Sequence, residues 1–309
     1  MKILITGSNG LLGQKLVYKL RNKPGVELIA TARGENRLVK QDGYQYATLD
    51  ITDEKNVLAV YSKFLPDVII NTAAMTNVDA CETDKEGALA MNTSSVKFQV
   101  NALELLMRQH SNYHPHFIHL STDFIFDGSH GPLDESEKPN PLSYYAETKL
   151  WAEEIVMASK LHWAIARTVL VFGIVDNMSR SNIVLWVKSN LEQGKLINVV
   201  DDQFRTPTLA EDLADGCILI AEKKAKGIYN ISGKDFYSIL ELARTVADYY
   251  GLDKSLIKPS KSSDIKQPAK RPPITGFIID KAINDLGYAP HSFVEGIKLL
   301  EEQIKEMGK

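Results

Sequence analysis

The sequence is poor in cysteine, in long apolar runs and in any surplus of basic charge. Its 309 residues include only two cysteines, Cys81 and Cys217, too few for a disulfide framework or a cysteine-ligated metal site. No apolar run is long enough to cross a bilayer, and Met1 leads directly into a strand pattern rather than a secretion signal. These absences predict a reduced, cytoplasmic protein with no metal site and no membrane partner.

The charge balance argues against a nucleic-acid partner. The chain carries 36 Lys and Arg residues against 39 Asp and Glu residues, a formal net charge of −3. No local basic run offsets this balance. The length suits one large α/β domain with a second lobe, or two domains.

The N-terminal segment has the pattern of a dinucleotide-binding turn. A short apolar strand, Lys2–Thr6, leads into Gly7, Gly10 and Gly13 and then into a helix. In this context the first glycine permits a tight turn, the second lets the backbone approach a pyrophosphate, and the third lets the helix lie close to the strand. The free N–H groups at the helix start would bind the phosphates. An ordinary glycine-rich turn is the alternative.

The end of the second predicted strand, residues 26–32, bears on the choice of cofactor. NAD-specific proteins often have an acidic residue at this point, where it binds the ribose 2′-OH. Here Arg33 follows the strand, with Arg37 close behind. A guanidinium suits a 2′-phosphate, because it offers charge and two parallel hydrogen bonds. The sequence therefore predicts NADPH, with NADH as the alternative cofactor and a solvated loop arginine as the alternative role of Arg33.

Later strand ends extend the predicted cofactor groove. Asp50 and Ile51 are positioned to border an adenine, although Asp50 or Thr52 could instead cap the helix that follows. Residues 66–74 form a buried strand that ends in small side chains, which would admit a flat ring or a ribose. Asn92 is the one polar residue on an otherwise apolar and small helix face, so it either ties the structure together or positions a catalytic water.

A tyrosine and a lysine four residues apart form the predicted catalytic pair. If the segment after Ser143 is helical, Tyr145 and Lys149 lie on one face, one turn apart, whereas Tyr144 does not. An ammonium beside a phenol is expected to lower the phenol pKa from its usual value near ~10. Such a tyrosine can give a proton to a ketone oxygen or take one from an alcohol. The hydroxyl of Thr122, at the end of another strand, can bind the same oxygen.

The order of strands and helices predicts an α/β fold. The expectation is a Rossmann-type doubly wound parallel sheet with a smaller C-terminal substrate lobe built from discontinuous segments. The predicted NAD(P)-binding domain comprises residues 1–172 and 197–232, and the predicted substrate-binding lobe comprises residues 173–196 and 233–309. Beyond residue 173 the pattern predicts helices at 183–192, 209–222, 238–250, 282–286 and 293–307, and a strand at 227–232.

Together these motifs resemble the extended short-chain dehydrogenase/reductase family over nearly the whole chain. The resemblance rests on residues 6–13 and 71–74, Ser121 with Thr122, and Tyr145 with Lys149. More narrowly, residues 121–128, 167–173 and 202–208 are similar to signatures of its dTDP-4-dehydrorhamnose reductase subfamily. The resemblance implies NADPH-dependent reduction of the 4-keto group of a nucleotide-linked 6-deoxyhexulose, as in dTDP-L-rhamnose biosynthesis.

The resemblance also implies roles for individual residues. Tyr145 would protonate the C4 oxygen, Lys149 would lower the tyrosine pKa and bind the nicotinamide ribose, and Thr122 would orient the carbonyl. The implied cofactor contacts are Gly7, Asn9, Gly10, Leu11, Leu12, Gly13, Arg33, Asp50, Ile51, Asn71, Thr72, Ala73, Ala74, Asn92, Tyr145, Lys149 and Thr168. The implied substrate contacts are Thr76, Thr122, Asp123, Phe124, Arg205 and Arg271.

Three departures from the subfamily pattern bear on the substrate. The usual Arg-Pro-x-Asn-Ser appears here as residues 271–275 with Arg271 but without the Asn-Ser pair. Arg205 stands where a small residue is common, and Phe172 replaces a frequent tyrosine. These changes concern the identity of the sugar and the base more than the reductase chemistry.

Two alternatives remain open. One is another enzyme of the family, an epimerase or a dehydratase, although Phe124 after Asp123 removes the Asp-Glu pair that is typical of dehydratases. Arg33 disfavours an epimerase, which would keep a tightly held NAD. The other alternative is a non-catalytic, NADP-binding regulator similar to the regulatory subunit of methionine adenosyltransferase. A homodimer is compatible with either.

Overall fold

The computed structural model describes residues 1–178 and 181–307. Residues 179–180 and 308–309, which belong to the predicted substrate lobe, lie outside the described part. The strands are β1 Lys2–Thr6, β2 Glu27–Ala32, β3 Gln45–Thr48, β4 Val68–Asn71, β5 His116–Thr122, β6 His162–Thr168, β7 Val171–Phe172, β8 Ile197–Val200, β9 Phe204–Arg205, β10 Thr208–Leu209, β11 Gly227–Asn230, β12 Tyr237–Ser238 and β13 Ile257–Ser260. The helices are α1 Leu11–Leu20, α2 Glu54–Phe64, α3 Val78–Thr83, α4 Lys85–Leu89, α5 Ser95–Gln109, α6 Tyr144–Ala158, α7 Ile183–Glu192, α8 Ala210–Glu222, α9 Ile239–Tyr250 and α10 Phe293–Met307.

Seven parallel strands form the central sheet, in the order β11-β6-β5-β4-β1-β2-β3. This arrangement confirms the predicted doubly wound α/β class. The strand order reverses between β1 and β4, because the chain continues to one side through β2 and to the other through β5. Ligands of open parallel sheets bind at such a reversal, outside the carboxyl ends of the strands.

Successive side chains of the central strands point to opposite faces of the sheet, and helices pack against both faces. In β1, Ile3 and Ile5 lie in one buried cluster with residues of α1 and α8, whereas Leu4 lies in a second cluster with residues of α2, α5 and α6. Strands buried on both faces read as continuous apolar runs, which explains the short Ile-Leu-Ile segment at the N-terminus.

A third apolar cluster forms the centre of the C-terminal lobe. It joins α7, α9 and α10 with β8 and β13, which pair with each other outside the central sheet. Because Ile197 and Val199 of β8 lie in this cluster, we propose that residues 197–200 belong to the lobe rather than to the sheet domain. The predicted domain boundaries otherwise stay predictions.

The start of α6 decides where Tyr145 and Lys149 lie. Ser143 caps α6, and its hydroxyl accepts a hydrogen bond from the Ala146 N–H at 3.4 Å, so the helix begins where the sequence predicts. Between α4 and α5 the helix widens into a π-helical turn, Ala90–Ser94, which the sequence does not predict. In the described ranges no helix is long and apolar enough to cross a membrane.

Candidate active site

A cavity of about 720 Å³ lies at the carboxyl ends of the central strands and extends to the C-terminal lobe. Most of the predicted site residues line it. Those that do are Asn9, Gly10, Leu11, Leu12, Gly13, Thr72, Ala74, Thr76, Thr122, Asp123, Phe124, Tyr145, Lys149, Thr168, Arg205 and Arg271. Those that do not are Gly7, Arg33, Asp50, Ile51, Asn71, Ala73 and Asn92.

The glycine turn has the close backbone contacts that the sequence predicts. Gly7 adopts a φ of 68°, in the left-handed region that favours glycine. A Cβ on Gly13 would lie 2.2 Å from the Gly7 carbonyl oxygen, so only glycine fits this crossing of helix and strand. Gly10 precedes α1, and no described side chain caps this N-terminus. The first-turn N–H groups therefore face the cavity as donors for an anion.

The arginine that lines the cavity is not the one that the sequence predicts as a cofactor contact. Arg37 lines the cavity and Arg33, at the end of β2, does not, although both side chains are exposed. The Asn9 side chain fixes this loop, since its amide donates to the Glu35 carbonyl at 2.8 Å and its oxygen accepts from the Arg37 N–H at 2.9 Å. Sequence reasoning named Arg37 only as a neighbour, because the sequence does not show which of the two arginines lies at the cavity.

The expected contacts of Asp50 and Ile51 with an adenine are not seen in the shape of the cavity. The Asp50 carboxylate accepts hydrogen bonds from the Thr52 N–H at 2.9 Å and the Thr52 hydroxyl at 2.6 Å. Ile51 is buried in the apolar cluster beneath the sheet. The adenine contacts stay a prediction, whereas the alternative of a helix cap at Asp50 or Thr52 is wrong, because Asp53 caps α2.

A wall that sequence reasoning missed covers the glycine turn. The Gln14 side chain pairs with the backbone of Asp176 in both directions, at 2.9 and 3.1 Å. Asn177 donates from its side chain to the Arg37 carbonyl at 3.2 Å. These contacts join segments more than a hundred residues apart, so no local sequence signal could have revealed them.

Tyr145 lines the cavity on the first turn of α6, with Thr122 and Phe124 beside it. The Phe124 ring meets the tyrosine ring edge-on at 6.2 Å between centroids. Burial raises the pKa of Tyr145 above its ordinary value, the Thr122 side chain acts in the opposite direction, and the nearby Asp123 charge raises it further. The predicted lowering of the Tyr145 pKa is therefore wrong for this structure.

The reason for that difference is the position of the Lys149 amine. Its Nζ donates to the Leu120 carbonyl at 2.5 Å and lies 3.3 Å from His119 Nε2. Burial lowers the pKa of Lys149 to about 8, and the Glu153 carboxylate opposes that shift. The amine is thus held against the sheet by partners other than the phenol, and it loses its charge at a lower pH than an ordinary lysine does.

Asn71 and Asn92 lie behind the cavity, where their amides bind protein groups. Asn92 accepts from the Met75 N–H at 2.8 Å and donates to the Met75 carbonyl and to Thr148, each at 3.1 Å. Its contacts match the structural alternative rather than the water-positioning one. Asn71 is 1% exposed and contacts Thr6 at 2.6 Å and His119 at 3.1 Å. Both residues support the walls of the groove.

Buried charges line the half of the cavity next to the C-terminal lobe. The Arg205 guanidinium donates to the Phe204 and Pro272 carbonyls, each at 2.7 Å, and its Nε lies 3.7 Å from Asp123 Oδ2. Asp123 also accepts a hydrogen bond from Thr275. Burial raises the pKa of Asp123, while the Arg205 charge opposes this shift. Arg205 is therefore engaged by protein groups and also holds the 272–275 segment.

Arg271 forms a more accessible ion pair at the same end. Its guanidinium meets both oxygens of Asp79, at 3.2 and 2.7 Å, and the Ala269 N–H binds the same carboxylate at 3.1 Å. The side chains are 20% and 35% exposed. This pair ties the loop before the retained Arg-Pro dipeptide to α3. In the described ranges no cluster of three or more His, Cys, Asp and Glu side chains could hold a metal ion.

Comparison with known proteins assigns the chain to a family. The family described as "RmlD substrate binding domain" matches residues 1–306. The chain belongs to this RmlD substrate binding domain family. This assignment confirms the resemblance to the extended short-chain reductases that the motifs indicate.

Relatives of the chain carry two kinds of description. The "probable low-salt glycan biosynthesis reductase Agl14" of Haloferax volcanii is 28% identical over 308 residues, which covers 99% of each chain. "Methionine adenosyltransferase 2 subunit beta" of Xenopus laevis is 30% identical over 263 residues, or 84% of this chain and 75% of the relative. A solved dTDP-4-dehydrorhamnose reductase from Clostridium acetobutylicum shares the fold with a TM-score of 0.85, at 28% identity, with 99% of this chain and 100% of that chain covered.

Proposed function

We propose that the protein is an NADPH-dependent reductase of the 4-keto group of a nucleotide-linked 6-deoxyhexulose. The observation that carries the proposal is the single cavity in which the glycine turn, Thr122, Tyr145 and Lys149 all meet. The similarity to a glycan biosynthesis reductase and to a dTDP-4-dehydrorhamnose reductase supports the same class of reaction. The dTDP-rhamnose pathway is the most specific form of this proposal.

The chain's own groups fit a dinucleotide. Its pyrophosphate would bind the N–H groups of Leu11, Leu12 and Gly13 at the uncapped start of α1. Arg37, at the mouth of the groove, suits a 2′-phosphate better than a free ribose hydroxyl. A reduced nicotinamide bound in this groove supplies hydride to the substrate carbon.

The proposed proton donor is Tyr145. Because burial keeps its pKa high, the phenol is protonated at neutral pH and can give its proton to the alkoxide oxygen that develops during reduction. Little phenolate is therefore present at neutral pH to act as the base for the oxidation of an alcohol. This proton-donor role rests on a raised pKa, in contrast to the lowered pKa that the Tyr-x-x-x-Lys spacing suggests.

Thr122 and Lys149 would assist from either side of the phenol. The Thr122 hydroxyl can donate to the substrate oxygen as negative charge develops, which is an oxyanion-type role. The Lys149 amine would bind the nicotinamide ribose and stabilise the phenolate that remains after proton transfer. Substrate contacts are proposed for Thr76, Asp123, Phe124 and the two arginines Arg205 and Arg271.

The test is NADPH oxidation with a panel of nucleotide-linked 4-keto-6-deoxy sugars. We expect cofactor to be consumed in proportion to reduced product with at least one member of the panel. Conversion of the sugar substrate without net oxidation of the cofactor would instead indicate an epimerase or a dehydratase. Absence of oxidation with every member of the panel would contradict the proposal.

The role of Tyr145 is tested with a matched pair of variants. Tyr145→Phe should retain NADPH binding and lose about 10²–10⁴-fold in turnover, because it removes only the proton donor. Tyr144→Phe is the control, because that ring packs edge-on against Trp151 and does not line the cavity. Normal turnover in Tyr145→Phe would rule out the acid assignment.

A regulatory role is the second candidate, supported by the 30% identity to a methionine adenosyltransferase subunit. The departures from the subfamily pattern at residues 273–276 also leave room for it. A regulator would bind NADPH without oxidising it in the panel experiment. It would bind a catalytic methionine adenosyltransferase subunit in a pull-down with purified components, which a dedicated reductase would not.

A further inference from the structure

A row of buried polar side chains crosses the centre of the sheet and ends at Lys149. Thr6, Asn71 and His119 are direct neighbours on β1, β4 and β5, since Thr6 is paired with Asn71 and Asn71 with His119. Residues in register on adjacent strands point to the same face. All three are at most 1% exposed. Buried polar side chains in such a row must be hydrogen-bonded to be tolerated.

The contacts along this row determine which way the Asn71 amide faces. Its oxygen accepts from the Thr6 hydroxyl at 2.6 Å and from Gln99 Nε2 at 3.3 Å. Gln99 is itself oriented by its neighbours, since its oxygen accepts from the Tyr61 hydroxyl at 2.7 Å and its nitrogen also donates to the Ser95 carbonyl at 3.2 Å. The Asn71 nitrogen is therefore left to donate to His119 Nδ1, at 3.1 Å.

This orientation fixes the histidine tautomer. A ring nitrogen that accepts a hydrogen bond carries no proton, so the proton of a neutral His119 must be on Nε2. Burial and the neighbouring Lys149 charge both hold the His119 pKa well below its ordinary value, so the ring is neutral at physiological pH. The Nε2–H group then faces the Lys149 Nζ at 3.3 Å.

A donor facing the amine has a chemical consequence. An ammonium has no lone pair and cannot accept a hydrogen bond, whereas a neutral amine can accept one from His119 and still donate to the Leu120 carbonyl. The histidine therefore favours the neutral amine. The other charged group near this amine is Glu153, one turn further along α6, which favours the ammonium but is itself paired with Arg167 at 2.7 Å.

We propose that His119 is a positioning residue of the active site, which holds the Lys149 amine through its Nε2–H group and shifts that amine toward its neutral form. This inference rests on the proposed role of Lys149 in the reductase. His119 does not itself line the cavity, so it would act only through Lys149. The hydrogen bonds from Thr6 to Asn71 and from Asn71 to His119 fix the orientation of the imidazole ring. Thr6 ends the strand that leads into the glycine turn.

The tautomer can be tested without any substrate. Long-range ¹H–¹⁵N spectra of histidine-labelled protein distinguish a protonated Nε2 from a protonated Nδ1. The His119 resonances are assigned by their loss in His119→Gln. We expect the Nε2–H tautomer, unchanged between about pH 5 and pH 8, since the ring stays neutral. An Nδ1–H tautomer, or titration of this ring in that range, would overturn the inference even if the enzyme is an active reductase.

The effect on Lys149 is tested by a pH profile. His119→Phe keeps an aromatic ring next to Phe117 but removes the donor. We expect the loss of kcat/KM at alkaline pH to move upward by about half a unit to one unit, because the ammonium form is no longer disfavoured. The extra desolvation by phenylalanine acts in the opposite direction, so an upward shift cannot come from burial alone. No shift, or a downward shift, would overturn the proposal.

Two further variants separate positioning from simple damage to the fold. His119→Gln can donate from its amide to the amine, and it should restore the alkaline limb of the profile to near its original pH. His116→Phe changes a buried histidine on the same strand that faces away from the site. It should leave the profile in place whatever it does to stability. A shift of the same size in His116→Phe would contradict a specific role for His119.

Discussion

At the residue scale, cofactor choice depends on which arginine reaches the groove. Arg37 lines the cavity in the loop that Asn9 holds, whereas Arg33 does not line it. Arg37→Ala should weaken NADPH binding about tenfold, the effect of losing a charge-assisted hydrogen bond, and leave NADH binding nearly unchanged. Dissociation constants for both cofactors measure this difference.

Arg33→Ala provides the matched control for that prediction, because it removes the same charge from the same loop. Its effect on NADPH binding should be smaller, limited to the weak attraction of an exposed charge. A larger loss in Arg33→Ala than in Arg37→Ala would show that the loop rearranges on binding and that Arg33 binds the 2′-phosphate, as the sequence predicts.

A second prediction at this scale concerns the stability of the protein in acid. His116 is buried on β5, and burial together with His162 lowers its pKa to about 4. Because the unfolded chain binds the proton more readily than the native one, stability falls as pH drops below the unfolded value near ~6.5. The loss from this one group should be about 2 kcal/mol between about pH 7 and about pH 5.

Urea unfolding at the two pH values measures that loss. Phenylalanine at position 116 cannot be protonated, so in His116→Phe the difference between the free energies of unfolding at the two pH values should shrink by this amount. His119 contributes to the acid loss in the same direction, because its pKa is also lowered, and part of the difference should therefore persist. An unchanged pH dependence in His116→Phe would contradict the assignment.

At the element scale, α6 is held to the sheet by a buried ion pair. Arg167 on β6 binds both carboxylate oxygens of Glu153, at 3.0 and 2.7 Å, and the two side chains are 3% and 0% exposed. Arg167→Met should cost about 3–5 kcal/mol, because it leaves a buried carboxylate without a partner. Replacing both residues by methionine should recover most of this loss, since it removes both buried charges.

Chemical unfolding of Arg167→Met and of the double variant tests the pair. Equal losses in the double variant and in Arg167→Met would mean that packing, rather than charge, sets the cost. The pair also affects chemistry, because an unpaired Glu153 would favour the ammonium of Lys149. The single variant should therefore show the alkaline limb of activity at higher pH than the double variant.

The helices also show how far local sequence carries a prediction. Hydrophobic periodicity and caps locate α7 and α10 at the predicted residues, and Ser143 marks the start of α6. The same signals do not predict the π-helical turn at Ala90–Ser94, which puts Asn92 within reach of Met75 and Thr148. Such a turn is stabilised by contacts between elements, which lie outside the window that a periodicity argument considers.

Only part of the candidate site can be predicted from the sequence, because some of its properties depend on contacts between distant elements. Glycine spacing and the Tyr145–Lys149 offset are local and locate both ends of the cavity. The direction of the Tyr145 pKa depends on burial and on where the Lys149 amine is held, by His119 and the Leu120 carbonyl some 30 residues earlier in the chain. Sequence spacing gives the distance between two groups on one helix, but not the competing partners that other strands provide.

At the scale of the whole molecule, two arginines connect the sheet domain to the C-terminal segment across the cavity. Arg205 is 3% exposed and holds Asp123 and the backbone of Pro272 together, whereas the Arg271–Asp79 pair is partly solvated. The two contacts should therefore differ in what their loss does. Buried charges are costly to leave unpaired, while solvated pairs contribute little to stability.

Arg205→Met should destabilise the protein by about 3 kcal/mol or more, since Asp123 and two backbone carbonyls lose their buried partner. Arg271→Met should change stability by less than about 1 kcal/mol and instead raise KM for the nucleotide sugar, because it removes a partly solvated cation at the end of the cavity proposed for the substrate. Urea unfolding and steady-state kinetics of the two variants give both quantities. If Arg271→Met lost as much stability as Arg205→Met with no change in KM, the ion pair with Asp79 would serve only to hold the loop to α3. The substrate phosphates would then bind elsewhere.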